Sequence, residues 1–188
     1  MRLHELHSSL IHAPMALLPA AAAFDLAAAL KDDRALGRAG RILWWAGSAG
    51  AVAGVLSGLA ASQEVKIYEP STKDALVVHG AGNALVTIAA LALAGYRSSH
   101  KPTVNTAMIG LTVCAAAVFT AYLGGEMVYA RGVGVKPAGG VHDSPNVLSL
   151  QAPVRFVQDV VNGLGWVVRE VSTWARRPPV HALEVGNS

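Results

Sequence analysis

Charged residues are scarce in this chain. Asp, Glu, Lys and Arg make up 14% of the 188 residues, against about 25% in ordinary soluble domains, whereas hydrophobic residues make up 53%. Such a composition is typical of a protein that crosses a membrane several times. It also argues against a nucleic-acid-binding surface, because the net charge is only +3 and the cations stand between and after the apolar runs.

Cysteine is almost absent as well. The single Cys114 lies in an apolar run, so it has no intrachain disulfide partner and cannot by itself ligate an iron–sulphur cluster or a structural zinc ion. The chain also lacks Gly-x-Ser-x-Gly, His-Glu-x-x-His and a glycine-rich phosphate loop with lysine. The sequence therefore gives no indication of an independent catalytic activity.

Four apolar stretches are each long enough to cross a bilayer's hydrocarbon core, which takes about 20 helical residues. They cover residues 10–30, 42–62, 76–96 and 103–129. We therefore predict an all-α fold in which residues 1–135 form a bundle of four transmembrane helices. Lys and Arg are concentrated in the first and third connections, so the positive-inside rule puts both termini on the outer, periplasmic side.

The composition changes after residue 135. Residues 136–146 are rich in proline, glycine and polar side chains, which predicts a loop. Residues 153–177 alternate apolar and polar positions at helical spacing, which predicts an amphipathic helix within an extramembrane segment, residues 136–188. We expect this helix to lie along the membrane surface, or to dock on a partner subunit, through one apolar stripe. The stripe consists of Val157, Val160, Val161, Leu164, Val168 and Val171.

Small residues mark one face of the second apolar stretch. Its glycines stand at positions 47, 50, 54 and 58, and the last three recur every four residues. A helix with this pattern presents a smooth ridge that lets neighbouring backbones approach closely, so we interpret it as a packing face. Trp44 and Trp45, at the start of the same stretch, are expected at the membrane interface.

Ionisable residues inside the apolar stretches are the candidate functional residues, because such groups are costly at membrane depth and tend to face the bundle interior. If successive helices alternate in direction, His12, His79 and Glu126 lie at one level near the outer surface. Asn83 follows His79 by four residues, so its amide lies on the same helix face and can orient a ligand or an imidazole.

Four interpretations of this His/His/Glu layer remain open. The residues can hydrogen-bond one another and fix helix packing. His12 and His79 can be the axial ligands of haem b, with Gly80, Gly82, Gly124 and Gly125 leaving room for the porphyrin. Two histidines and Glu126 also suit a divalent zinc or iron ion. Proton or solute transport is the fourth, although the chain has only four spans and no obvious inverted repeat.

Asp25 lies about 20 Å along the first helix from His12. We expect it to pair with a cation in the following connection, and a proton-relay role is the alternative. The cations in question are Arg34, Arg38 and Arg41. The remaining histidines stand in connections or tails and are expected to be solvated: His4, His100, His142 and His181.

Three short motifs carry a family resemblance. They are His-x4-His-x-Pro from His7, His-x3-Asn from His79, and Gly-Gly-Glu-x-Val-Tyr-x-x-Gly-Val-Gly-Val from Gly124. Together they resemble the bacterial family of predicted membrane proteins called domain of unknown function 2231, over about residues 3–135. The resemblance implies a bacterial cytoplasmic membrane. It also marks further positions, namely Pro14, Asp25, Tyr129, Gly132 and Gly134.

The family has no assigned activity, but some similar proteins continue into Rieske-type iron–sulphur domains, which implies a membrane redox setting. We therefore expect a haem- or metal-binding redox subunit with His12 and His79 as ligands. Its cofactor site would be completed by Asn83, Glu126, Gly124, Gly125 and Tyr129. The alternative is a non-catalytic accessory subunit of a larger membrane complex or a homo-oligomer.

Overall fold

The computed structural model describes residues 2–142, 149 and 151–176. Its helices are α1 (Leu3–Leu10), α2 (His12–Lys31), α3 (Arg34–Ala61), α4 (Pro70–Ser99), α5 (Val104–Tyr129), a single 3-10 turn (Lys136–Ala138) and α6 (Ala152–Ala175). The described residues contain no β-strand, only one isolated bridge between Val65 and Val141. The predicted all-α fold is therefore confirmed. His181 lies outside the described residues.

Four helical segments are long and apolar enough to cross a membrane: α1 with α2 (Leu3–Lys31), α3, α4 and α5. Helices α2, α3, α4 and α5 form a closed ring in which each packs against two others, α5 returning to α2. Apart from one tryptophan, the interior of the ring is built from small and medium apolar side chains, which lets the helices pack closely. These are Leu18, Ala21, Ala22, Trp44, Val86, Ala90, Leu93, Ala94, Val113 and Cys114.

The glycine ridge of α3 is the contact surface for α1 and α2, as the sequence predicts. A methyl group added at Gly47 would lie 2.7 Å from a Leu18 side-chain carbon, and one at Gly50 would lie 3.0 Å from Pro14. Such distances are shorter than real carbon–carbon contacts, so larger residues would force the helices apart. The ridge meets, in order, Leu18, Pro14, Ile11 and His7.

Asp25 is fully buried and binds Arg97 of α4, not an arginine of the following connection as expected. The Arg97 Nε and Nη2 atoms donate to the two carboxylate oxygens at 2.7 and 3.0 Å. Arg97 Nη2 also donates to the Gly37 carbonyl at 3.0 Å. Because α2 and α4 both end at this side of the bundle, a cation at the end of α4 reaches the carboxylate directly.

The two tryptophans of α3 have different environments. Trp44 is 1% exposed, and its indole nitrogen donates to Asp25 Oδ2 at 2.9 Å. The expected interfacial position is therefore wrong for Trp44, because a buried carboxylate holds its polar atom inside the bundle. Trp45 is 48% exposed and donates to Ser98 Oγ at 3.0 Å.

Helix α6 forms where the sequence predicts a helix, and it packs across α3 and α4. The Gly163 backbone lies directly on the Leu59 carbonyl, and Lys73 forms an ion pair of 2.8 Å with Glu170. Of the predicted apolar stripe, Val160 faces inward, where it packs with Phe156 on the end of α3. The other members are exposed on the outer side: Val157, Val161, Leu164, Val168 and Val171. That α6 lies on the membrane surface stays a prediction.

A glycine-to-alanine pair tests the close approach of α2 and α3. A methyl group at Gly40 would lie 2.3 Å from Asp25 Oδ1, whereas one at Gly95 meets nothing within 4 Å. We expect Gly40→Ala to lower the free energy of unfolding by about 1–3 kcal/mol through overpacking. Gly95→Ala should leave it unchanged or raise it by up to about 1 kcal/mol. Unfolding of the purified protein in detergent measures both, and equal stabilities would contradict the tight contact.

Candidate functional site

Two imidazoles meet at the end of the bundle where α1 lies against α3 and α4. The rings of His7 and His79 have their centroids 6.5 Å apart, and their planes are nearly perpendicular at 88°. Both side chains are partly buried. The structure therefore brings together two histidines from different helices, but the partner of His79 is His7 and not His12.

Backbone carbonyls fix the orientation of both rings. His7 Nδ1 donates to the Gly54 carbonyl at 3.0 Å, and His79 Nδ1 donates to the Thr120 carbonyl at 2.8 Å. Because a carbonyl oxygen only accepts, each Nδ1 carries the proton, and the neutral ring keeps its lone pair on Nε2. This arrangement is the one that metal-binding histidines use, with Nδ1 held by the protein and Nε2 left for a ligand.

Two glycines make room for the rings themselves. A methyl group at Gly58 would lie 3.0 Å from His7 Cε1, and one at Gly124 would lie 2.8 Å from His79 Cε1. The space beside Gly124, which we expected to admit a porphyrin, is therefore filled by the His79 ring. Gly125 has no neighbouring atom within 4 Å of an added methyl group, so it takes no part in this packing.

Asn83 lies beside His79, as its spacing predicts, and links α4 to α5. Its Nδ2 donates to the His79 carbonyl at 2.8 Å, and its Oδ1 accepts from Thr120 Oγ1 at 3.0 Å. The Asn83 Nδ2 atom is also 3.4 Å from both ring nitrogens of His79, which is long for a hydrogen bond. Asn83 thus holds the His79 ring in place.

His12 is exposed, and its Nδ1 contacts only the Ser9 carbonyl, at 3.2 Å. It lies five positions after His7, and five steps of an ideal helix turn the chain by about 140°. The two histidines therefore cannot both face the bundle. His7 lies on the same helix face as Ile11, Pro14 and Leu18, which contact the glycine ridge. The spacing of these four residues is the sequence pattern that identifies His7 as the inward-facing histidine.

The other expected members of the layer are directed elsewhere. Glu126 forms an ion pair of 2.9 Å with Arg131, and Tyr129 is 92% exposed. In the described part of the chain, no group of three or more His, Cys, Asp and Glu side chains is arranged to hold a metal ion. The site with two histidines and Glu126 is thus not assembled here.

A pair formed by one histidine and one carboxylate lies next to this site, and the sequence analysis did not predict it. His4 Nδ1 is 2.9 Å from Glu64 Oε2, and the His4 backbone nitrogen donates to the same oxygen at 3.1 Å. Glu64 is 4% exposed, so the expectation that His4 is solvated was wrong. His4 and His7 are three residues apart, which places them on one face of α1. His100, by contrast, is exposed and stacks on Tyr96.

The glycines that follow α5 build a turn that closes this end of the bundle. Gly132 and Gly134 have φ angles of +66° and +75°, which residues with a side chain rarely adopt. The turn lets the Gly140 carbonyl accept from the Gly134 and Lys66 nitrogens at 3.2 and 3.0 Å. The segment after α5 is thereby fixed to the connection between α3 and α4.

A known family covers this part of the chain. The model of a family described as predicted membrane proteins, domain of unknown function 2231, matches residues 3–137. The chain belongs to this family. No curated protein and no solved structure matches the chain.

In this member of family 2231, most of the motif residues have a structural role that the coordinates make plain. His7 and His79 form the imidazole pair, Asn83 holds one ring, and Gly124 gives that ring its space. The motifs therefore converge on the pair, with the glycine turn after α5 closing the same end.

Asp159 on α6 provides a pH-dependent test of this end of the family 2231 protein. Burial and the nearby Glu64 carboxylate raise its pKa, against the opposing effect of Arg155. The folded state then binds a proton more tightly than the unfolded chain, so ionised Asp159 lowers stability at neutral pH. This cost disappears as the pH falls through the folded pKa. Asp159→Asn should raise the melting temperature at pH 7, and the gain over the native protein should shrink towards about pH 4.

The control is Gln158→Asn, an exposed neighbour without a titrating group. The difference between its melting temperature and that of the native protein should not vary with pH. A stabilisation by Asp159→Asn that is the same at both pH values would contradict the raised pKa.

Proposed function

We propose that this membrane protein is a redox subunit that binds haem b through His7 and His79. The observation that carries the proposal is the geometry of the two rings. His7 and His79, which come from different helices, would hold the haem iron, each through its Nε2 atom. The centroids of His7 and His79 are 6.5 Å apart.

The number of protein ligands favours haem over a bare metal ion. A catalytic zinc site takes three protein ligands and a structural one takes four, whereas haem would need only two histidines from the protein. Here two imidazoles offer Nε2, and Glu126 is engaged by Arg131. A donor set of two imidazole nitrogens would therefore suit haem iron better than a bare metal ion.

The surroundings of the rings support the same assignment. Both Nδ1 atoms are held by backbone carbonyls, which fixes the tautomer and increases the basicity of Nε2. Haem held in this way supplies one-electron transfer. The protein's part is to orient the two rings from α1 and α4, to hold the His79 ring with Asn83, and to keep the pair partly out of water.

Absorption spectroscopy of protein purified from its native membrane tests the proposal. We expect a Soret band, with one haem per chain, that His7→Ala and His79→Ala each reduce by about tenfold or more, since both axial ligands are required. His12→Ala and His100→Ala are the matched controls, because both rings are exposed, and they should keep the band.

Melting temperatures of the His7 and His79 variants separate loss of a ligand from loss of the fold. A purified protein without haem, or a band that survives His7→Ala but not His12→Ala, would refute the proposal. Elemental analysis on the same sample tests the bare-ion alternative: zinc or non-haem iron bound at one per chain and lost in both ligand variants would replace haem with a metal ion.

A second candidate function, an accessory subunit of a larger membrane complex, is favoured by the outer side of α6. Val157, Val161 and Val168 are 60%, 62% and 56% exposed, with Leu164 between them on the same helix face. A contiguous exposed apolar face of this kind suits contact with another apolar surface.

For this candidate we expect the protein to elute from detergent-solubilised native membranes as a particle larger than the single chain. Replacing Val161, Leu164 and Val168 together by serine should reduce the particle to one chain, because the apolar contact is lost. Asn162→Ala, an exposed polar position beside the stripe, is the control. Size-exclusion chromatography with light scattering gives the mass, and an unchanged mass in the triple variant would exclude the stripe as a subunit contact.

A further inference from the structure

A basic cleft opens at the end of the bundle opposite the histidine pair. It has a volume of about 270 Å³ and lies between the end of α2, the start of α3 and the connection from α4 to α5. Besides Arg97, its charged lining residues are four cations and two carboxylates: Arg34, Arg38, Arg41, Lys101, Asp32 and Asp33. The cleft thus has more positive than negative groups.

Two of the charged groups in the lining are already engaged by the protein. The Arg97 guanidinium is neutralised by Asp25, and Asp33 Oδ1 accepts from the Ala35 and Leu36 nitrogens at the start of α3. The four other cations form no ion pair with any described residue, and Arg41 makes only a long contact of 3.5 Å with the Ser98 carbonyl. The excess positive charge is therefore available to an external anion.

The cleft continues into an apolar surface. Arg34, Arg38 and Arg41 follow one another at helical spacing on α3, and Trp45 continues the same face one turn further into the membrane-spanning segment. Ile42, beside Arg41, is 66% exposed, and Leu30, beside the lining residue Ala29, is 70% exposed. An occupant of the cleft therefore meets cations at one end and apolar side chains at the other.

We infer that this cleft binds the headgroup phosphate of an anionic phospholipid, with the acyl chains lying along Ile42 and Trp45. Guanidinium groups match phosphate oxygens in geometry and charge, and basic pockets at the ends of transmembrane helices are suited to anionic headgroups. A free phosphate would satisfy the cations but would leave the exposed apolar face unused. The inference does not depend on the proposed haem site.

Native mass spectrometry of the full chain in detergent tests it, with phosphatidylglycerol and phosphatidylcholine as the two probes. We expect phosphatidylglycerol to bind at one per chain and phosphatidylcholine to bind much more weakly. A cation near a membrane surface contributes about 1 kcal/mol, or roughly fivefold in affinity, so Arg38→Gln with Arg41→Gln should weaken phosphatidylglycerol binding by about 30-fold.

The control is Arg169→Gln, an exposed arginine on α6, which should bind phosphatidylglycerol as the native protein does. The double variant Arg38→Lys with Arg41→Lys keeps both charges. It should retain most of the affinity if the glutamine variant binds weakly because it lost charge and not because it lost its fold. Equal binding of the two lipids, or no weakening in the glutamine variant, would overturn the inference. Complete displacement of phosphatidylglycerol by inorganic phosphate would also overturn it, in favour of a free-phosphate site.

Discussion

The close approach of α1 and α2 to α3 is the constraint on which the rest of the structure depends. Lipid offers no hydrophobic drive for helix association, so the helices are held by van der Waals contact and by polar pairs. The glycines of α3 permit that contact, and the residues they meet on α1 and α2 run from His7 to Asp25. This line of contacts, from His7 to Asp25, is one continuous seam. It therefore fixes the depth and the facing direction of both His7 and Asp25.

Each end of this seam holds a polar cluster that crosses to α4. At one end Asp25 binds Arg97 and Trp44, and both carboxylate oxygens are satisfied inside the bundle. At the other end His7 meets His79. In the first cluster the opposite charges neutralise each other, whereas in the second each ring is held at Nδ1 by a backbone carbonyl. This difference is why we infer a structural role for the first cluster and propose a ligand-binding role for the second.

The sequence predicts the architecture well because span length and glycine spacing are local properties. The four spans, the packing face of α3 and the helix near the C-terminus all follow from residues close together in the chain. The site is harder to predict because it depends on which face of each helix turns inward. His12 was chosen over His7 from depth alone, although their angular separation puts them on different faces. The partner of Asp25 was misjudged for a similar reason: proximity in sequence suggested the next connection, but packing brings in Arg97.

The pairing of Asp25 with Arg97 has a consequence for how the protein is made. Synthesis proceeds from the N-terminus, and the arginine follows the carboxylate by 72 residues. While the first two spans enter the membrane, the acid has no cation from α4 to neutralise it, and an unpaired charge at that depth is unfavourable. The carboxylate therefore gains its final buried partner only when α4 joins the bundle.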